Sequence, residues 1–436
     1  MGIVDLVGKT LLAGIRQSAK RFSSETYPGV LSLDEQVKSL DYTYKSTLYN
    51  MFNFNTTFGT GETDIDTIGR SSETDINMSI AGASFNLTSF FAARGLKYTR
   101  DSVKEQLNLL KQSKASEILN ILEKRGNYLT AIFVIKNINL FLDRILKSVG
   151  NSQLTTRERE EAQTRIELLK GENSVKANQL EQRINSLHES YFLLINRKLD
   201  DDFKLDMSHA SYKQFLKNLM DERYDSENYG KNLNRRLHTY FSLPDSAENA
   251  YKIALEKGPS IKISDLNILA AKESRRSISA NKLFPTVSLN YTYKDLETFD
   301  IDTSDDNVLL NFTWVLGAGS VHEYQASNHT VLSKEYAKRE ALRKDQSSLR
   351  NIYRQVDSLQ AQFAIAIDNF QKSLIKFREI VQNDRFHYPD LDKTIDYTAA
   401  FVNAVVTINE AASNIVQNKT NAHLIMGTFW EEADKL

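Results

Sequence analysis

The 436-residue sequence contains no cysteine. This absence excludes a disulfide framework, a thiolate metal site, a cysteine nucleophile and an N-terminal lipidated cysteine. Helix-breaking residues are also scarce, with 5 prolines and 17 glycines, and this scarcity favours long uninterrupted helices. Neither charge is in excess, since 55 basic residues stand against 56 acidic ones, so we expect no basic surface for nucleic acid.

Long apolar runs are missing as well. No run of about 18 apolar residues occurs, so no transmembrane helix is expected, although the weak signal of membrane β-barrel strands escapes this test. The apolar N-terminal stretch is interrupted by Asp5 and Lys9, and its basic residues follow it. We therefore predict an amphipathic helix there rather than a signal peptide. If the protein is exported, the sequence would be a mature chain with an added initiator Met.

Signals for catalysis are sparse. The 7 histidines are scattered, without an HExxH motif or the spacing of paired metal ligands. Gly8-Lys9-Thr10 resembles part of a phosphate-binding loop, but the preceding glycine is one residue out of register and no strand leads into it. We expect no enzymatic activity, no metal and no cofactor.

The sequence does contain two pairs of alternating segments. In the later pair one face is apolar, with Val287, Leu289, Tyr291, Tyr293, Val308, Leu310, Phe312 and Trp314, and the other is polar. In the earlier pair Phe52, Phe54 and Phe58 alternate with Asn53, Asn55 and Thr57, and Ile76, Met78 and Ile80 alternate with Asn77 and Ser79. A phase slip near Ser84 predicts a bulge.

This alternation admits two interpretations. It is typical of membrane β-barrel strands, apolar towards lipid and polar towards a wet lumen, but a half-buried hairpin of a soluble sandwich has the same pattern. The aromatic side chains would form an interfacial belt in the first case and core contacts in the second. We expect acidic loops at 60–75 and 295–306 to connect the strands of each pair.

Long helices follow each pair of strands. We predict helices over about 100–146, 156–196, 320–382 and 390–427, with turns near Gly150 and Asn383. Apolar residues spaced three or four positions apart predict coiled-coil seams. The seams are Leu180, Ile184, Leu187, Tyr191 and Leu194; Leu349, Ile352, Val356, Leu359, Phe363, Ile367, Phe370, Leu374 and Phe377; and Phe401, Val405, Ile408, Ala412 and Ile415.

The chain is therefore two copies of one unit: short helix, strand, acidic loop, strand, long helix, turn, long helix. Four strands cannot close a membrane barrel, which needs about eight, so we infer that three copies pool their strands. The predicted fold is α+β, with antiparallel helical hairpins and four strands contributing to a trimeric 12-stranded barrel. The predicted segments are N-terminal helices 1–46, β-hairpin 47–90, helical hairpin 91–196, mixed equatorial region 197–260, helix 261–284, β-hairpin 285–317, helical hairpin 318–430 and tail 431–436.

Three stretches resemble the TolC family of outer-membrane efflux and secretion ducts. Residues 242–288 resemble the opening of its repeat, with a break at Pro244 and a Leu-x-Pro strand start. Residues 308–326 resemble its second strand and the Gly-x-Gly entry to a long helix. Residues 395–429 resemble its final return helix, which closes on Leu-x-x-Gly.

The resemblance implies a periplasmic entrance gate at the helix tips. Asp396 falls on a pore-facing acidic position, with Asp392 one turn before it and Lys393 at the outer acidic position. Asp384 and Pro389 occupy the positions of the restraining tyrosine and arginine, with Arg385 and Tyr388 nearby, and Arg157 replaces an acidic residue on the first return helix. A different set of gate ion pairs is therefore expected.

The resemblance also implies a homotrimer in the outer membrane that meets a periplasmic adaptor and an inner-membrane transporter. The adaptor would dock at the tips, formed by Gly150, Asn151, Ser152, Asp384 and Pro389. The alternative is a soluble or peripheral coiled-coil interaction protein whose hairpins pack on its helices. Detergent requirement distinguishes the two.

Overall fold

The computed structural model describes residues 27–67, 70–150, 154–195, 212–215, 217, 241–298, 301–314, 319–382 and 391–433. The predicted N-terminal amphipathic helix and Gly8-Lys9-Thr10 lie outside the described residues. The elements are α1 (Pro28–Tyr49), β1 (Phe52–Thr67), β2 (Arg70–Phe85), α2 (Leu87–Gly150), α3 (Thr156–Ile195), α4 (Ala247–Lys257), α5 (Pro259–Leu283), β3 (Thr286–Thr298), β4 (Ile301–Thr313), α6 (Gly319–Gln382), α7 (Leu391–Met426) and α8 (Phe429–Ala433).

The chain forms two compact units. A sheet unit comprises Ser32–Leu107 and Ser260–Arg343, and a helical unit comprises Met1–Leu31, Asn108–Pro259 and Lys344–Leu436. The sheet unit holds the four strands found among the described residues, in the order β1-β2-β3-β4, and every neighbouring pair is antiparallel. The helical unit holds the apolar core that α2, α3, α6 and α7 share.

The strands are longer than the alternating pattern predicts. Residues expected to form acidic loops continue the ladders, so that Thr67 pairs with Arg70 and Thr298 pairs with Ile301. Threonine and isoleucine alternate with the acidic residues of these segments and favour extended backbone, which explains the continuation. The expected bulge near Ser84 is wrong, because the register runs without interruption from Phe52–Phe85 to Thr67–Arg70.

Several helix boundaries have local causes. Helix α1 starts at Pro28, where a proline is suited to the first helical turn, and continues to Tyr49, so β1 begins at Phe52 rather than at Thr47. Helix α2 starts earlier than expected, since the Asn86 side chain accepts a hydrogen bond from the Thr88 amide at 2.9 Å and caps it.

The two return helices, α3 and α7, have defined ends. A capping box precedes α3, because Thr155 N–H donates to Glu158 Oε2 at 3.0 Å and the Glu158 amide donates to Thr155 Oγ1 at 3.4 Å. Helix α7 ends in a Schellman motif: the Thr428 amide donates to the His423 carbonyl, and Gly427 has φ +73°.

The core of the helical unit combines residues of the predicted seams of α3, α6 and α7 with residues of α2, for which no seam was predicted. Leu374 and Phe377 of α6 are fully buried, and so are the α2 residues Ile135 and Leu142. Aromatic rings pack between the helices. The ring centroid of Phe377 lies 5.0 Å from that of Phe141 on α2 and 5.3 Å from that of Phe401 on α7. These contacts place the two helical hairpins on one core.

Helix α7 is, among the described residues, the one helix long and apolar enough to cross a membrane. Its most apolar window is 61% buried inside the protein. Burial among α2, α3 and α6 is sufficient to explain this composition.

Candidate functional site

The first candidate site is one face of the sheet. The register places Phe52, Phe85, Val287 and Phe312 in one row across the four strands, followed by Phe54, Ala83, Leu289 and Leu310, and then by Thr56, Ala81, Tyr291 and Val308. We call this the aromatic face. With the next row, Phe58, Ser79, Tyr293 and Asp306, this face carries six of the seven aromatic residues predicted to face lipid. These are Phe52, Phe54, Phe58, Tyr291, Tyr293 and Phe312, and the seventh, Trp314, follows the end of β4 and stacks on Phe312.

Side chains of the aromatic face lie in solvent within the single chain. Phe54 is 75% exposed and Phe58 is 80% exposed. The rings also contact one another, since Phe52 and Phe85 lie 5.4 Å apart and Phe312 and Trp314 are stacked at 6.2 Å. A contiguous exposed apolar surface of this kind marks contact with a membrane or a partner.

The opposite side of the sheet is polar. Its rows are Asn53, Ser84, Ser288 and Asn311; Asn55, Gly82, Asn290 and Leu309; and Thr57, Ile80, Thr292 and Asn307. None of these twelve side chains carries a charge. We call this side the amide face. Because the register is continuous, Ile80 lies on the amide face, on the other side of the sheet from Phe52, Phe54 and Phe58. The phase slip in the sequence therefore reflects a change in which face of β2 carries the apolar residues, and not a bulge.

The second candidate site is a ladder of polar contacts between the two return helices. Arg165 forms an ion pair with Asp392, Lys176 donates to Asn403 Oδ1 at 2.8 Å, and Arg183 forms an ion pair with Glu410. In each pair the two residues are 227 positions apart. A constant separation over three levels means that α3 and α7 run parallel.

Only some of the predicted gate and tip residues are among the described residues. Asp392, Asp396 and Lys393 are exposed in the first turns of α7, and Asp392 is the partner of Arg165. Gly150 ends α2. Arg385, Tyr388, Asn151, Ser152, Asp384 and Pro389 lie outside the described residues.

The sequence did not point to Arg165 or to a polar cluster at the far end of α7. In that cluster His423 Nε2 donates to the Ser242 carbonyl at 3.2 Å, and His423 Nδ1 accepts from the Thr428 hydroxyl at 2.8 Å. Burial lowers the pKa of His423, and burial also lowers the pKa of Lys419 to about 8. Glu432 is likewise buried in this region.

No protein-family model matches the sequence, and no curated protein matches it. Solved structures do match. The open-state outer membrane channel MtrE of Neisseria gonorrhoeae is 11% identical, with a TM-score of 0.69 over 96% of this chain and 88% of that one. The outer membrane protein VceC of Vibrio cholerae is 9% identical, with a TM-score of 0.62 over 95% and 96%.

The Campylobacter jejuni CmeC outer membrane channel matches over 99% of this chain and 89% of its own, with 10% identity and a TM-score of 0.58. Similarity at this level of identity is similarity of fold. The expected α+β architecture, with long helical hairpins and four strands, is confirmed, and this chain has the fold of the TolC-like outer-membrane channels.

Proposed function

We propose that the chain is one protomer of a homotrimeric outer-membrane channel. The observation that carries this proposal is the exposed aromatic face on an open sheet. Strands β1 and β4 each have one neighbour among the described residues, so both edges are available for pairing with other copies. Three copies would supply twelve antiparallel strands, which is enough to close a barrel.

In such a barrel the two sides of the sheet have separate roles. The aromatic face would contact lipid, and its tyrosine and tryptophan side chains would lie at the interface. The amide face would line the water-filled lumen with the uncharged side chains of the three rows described above. The helical unit would extend into the periplasm, and the channel would move small molecules or polypeptides without catalysing a reaction.

The channel would act as the outer component of a tripartite efflux pump or of a type I secretion system. A periplasmic adaptor would bind at the helix tips formed by Gly150, Asn151, Ser152, Asp384 and Pro389, and an inner-membrane transporter would supply the energy. The tips around 147–157 and 382–397 would close the entrance at rest. Arg385, Tyr388 and Lys393 are candidate gate residues there.

The ladder between α3 and α7 suggests how the closed entrance is held. Arg165 and Asp392 join the two helical hairpins of one protomer near the predicted entrance, and both side chains remain partly exposed. An exposed ion pair contributes little, about 0.2–1 kcal/mol, so adaptor binding could break it. Asp396 lies one turn further along the same face and would favour cations.

Single-channel conductance in a planar bilayer tests the proposal. The wild-type protein should form pores with a preference for cations, and Asp396→Asn should reduce that preference. Absence of pores would refute the channel, whereas pores with unchanged selectivity in Asp396→Asn would remove only the role of Asp396.

The alternative is a soluble coiled-coil interaction protein. It predicts a monodisperse protein without detergent, because its aromatic face would be covered. A trimer that requires detergent or a bilayer to remain monodisperse is the outcome expected for the channel.

A further inference from the structure

A groove runs along the second helical hairpin, between α6 and α7. It has a volume of about 870 Å³, which lies within the range of roughly 300–1,000 Å³ usual for small-molecule sites. Ile365 and Ile375 of α6 and Ala400 and Ala404 of α7 form much of its apolar lining. Ile365 is 62% exposed and Ile375 is 49% exposed, so apolar surface remains in contact with water.

The charged side chains that line the groove are both positive. Lys372 and Lys376 lie one turn apart in its wall, and none of the described lining residues is an aspartate or a glutamate. Each ammonium group pairs with a carboxylate outside the lining, Lys372 with Asp368 at 2.6 Å and Lys376 with Glu379 at 3.1 Å. Pairs exposed to this degree are weak, so an anion in the groove can replace the carboxylate.

The groove opens on a particular side of α7. Asp392, Asp396, Ala400, Asn403 and Thr407 are all exposed, and their spacing of four, four, three and four residues puts them on one face. The last three line the groove. If Asp392 and Asp396 face the pore, as the proposed function requires, the groove opens into the same pore.

We propose that this groove is a binding site for a small amphipathic organic anion that passes through the channel. The inference rests on the proposed function only for its statement that the groove faces the lumen. The flat apolar body of the ligand would contact the apolar lining formed by Ile365, Ile375, Ala400 and Ala404. Its anionic group would lie between Lys372 and Lys376. Tyr397, also in the lining, offers a hydroxyl group and an aromatic edge.

The absence of cysteine allows a direct test. Ala400→Cys introduces a single thiol in the groove, on an exposed position where a small side chain replaces another. The rate of its modification by a small methanethiosulfonate reagent would be measured on the full-length protein, with and without naphthalene-1-sulfonate. Val175→Cys on α3, which is 56% exposed and outside the lining, is the matched control.

We expect naphthalene-1-sulfonate to slow modification of Ala400→Cys by about tenfold at a concentration ten times its Kd, and to leave Val175→Cys unchanged. The positively charged analogue naphthalen-1-ylmethylammonium should protect poorly. Adding Lys372→Gln and Lys376→Gln to Ala400→Cys should abolish protection by the sulfonate, where protection is the ratio of the rates without and with ligand for the same variant.

Several results would overturn the site. These are equal protection at both cysteines, equal protection by the cation and the anion, or an Ala400→Cys thiol that does not react even without ligand because a second copy covers it. Conductance of the same variants separates the two proposals. If the variants form pores but the sulfonate gives no protection, the channel proposal stands and the binding site is refuted. If the sulfonate protects but no pores form, the binding site stands and transport through a lumen is refuted.

Discussion

Arg165 on α3 forms an ion pair with Asp392 on α7, and this contact joins two helical hairpins that lie far apart in the sequence. The Arg165 side chain is 47% exposed and the Asp392 side chain is 66% exposed, so the pair can be broken without leaving a buried charge. Its place near the predicted entrance makes it a candidate restraint on opening.

We expect Arg165→Asp to increase the open probability of single channels, because it replaces attraction to Asp392 with repulsion. The increase should be at most about fivefold for each of the three protomers, since one exposed pair contributes up to about 1 kcal/mol. The double variant Arg165→Asp with Asp392→Arg should restore the wild-type value. Lys136→Gln is a suitable control, because its partner Glu181 lies within the same hairpin at 2.7 Å.

The two faces of β1 should tolerate charge very differently. Phe54→Lys places an ammonium group on the aromatic face, where a lysine near the bilayer midplane costs about 2–4 kcal/mol. Thr57→Lys places the same group on the amide face, in the predicted lumen. We expect the first variant to insert poorly into liposomes and the second to insert like wild type, as measured by flotation. Equal insertion of the two would contradict a lipid-facing aromatic surface.

Gly427 and Gly171 should respond in opposite directions to the same substitution. Gly427 has φ +73°, and a Cβ there would meet the Lys257 carbonyl, so Gly427→Ala should destabilise the protein by more than about 1 kcal/mol. Gly171 is in the middle of α3 with nothing within 4 Å of an added Cβ, so Gly171→Ala should stabilise it by roughly 0.5–1 kcal/mol. Thermal unfolding of the two variants beside wild type measures both effects.

His423 should make stability depend on pH. Burial lowers its pKa in the folded state, with smaller opposing contributions from Glu432 and from the Ser242 carbonyl, while Lys419 acts in the same direction as burial. The stabilisation is therefore complete above the unfolded pKa of about 6.5 and is lost as the pH falls below it. The Tm of wild type should fall more between about pH 7.5 and about pH 5.5 than that of His423→Gln. A larger fall in the variant would show that the sign is wrong.

Much of the fold could be predicted from the sequence because its signals are local. The seams of α6 and α7 keep their three-four spacing, and Leu349, Leu374 and Phe377 are fully buried as that spacing requires. The cap at Thr155 and Glu158 is likewise a short-range pattern. The acidic strand ends were missed because their alternating threonine and isoleucine residues outweigh the polar composition that normally indicates a loop.

The register between distant helices could not be predicted, because packing of side chains sets it. Aligning the predicted tips Gly150 and Asn383 gives a separation of 233 residues, whereas contacts between α3 and α7 give 227. Arg165 would then have been matched to Thr398, which is buried, and its pairing with Asp392 would have been missed. His423 was missed for a related reason, since its partner Ser242 is 181 residues away.

The constant separation between α3 and α7 restricts how the two halves of this chain can change in length. One residue inserted between Arg165 and Lys176 would rotate every later side chain of α3 by about 100° and advance it by about 1.5 Å. The contacts of Lys176 and Arg183 would then be lost together while that of Arg165 survived. A change of length in one return helix can therefore persist only with an equal change in the other, so the two halves must lengthen or shorten in step.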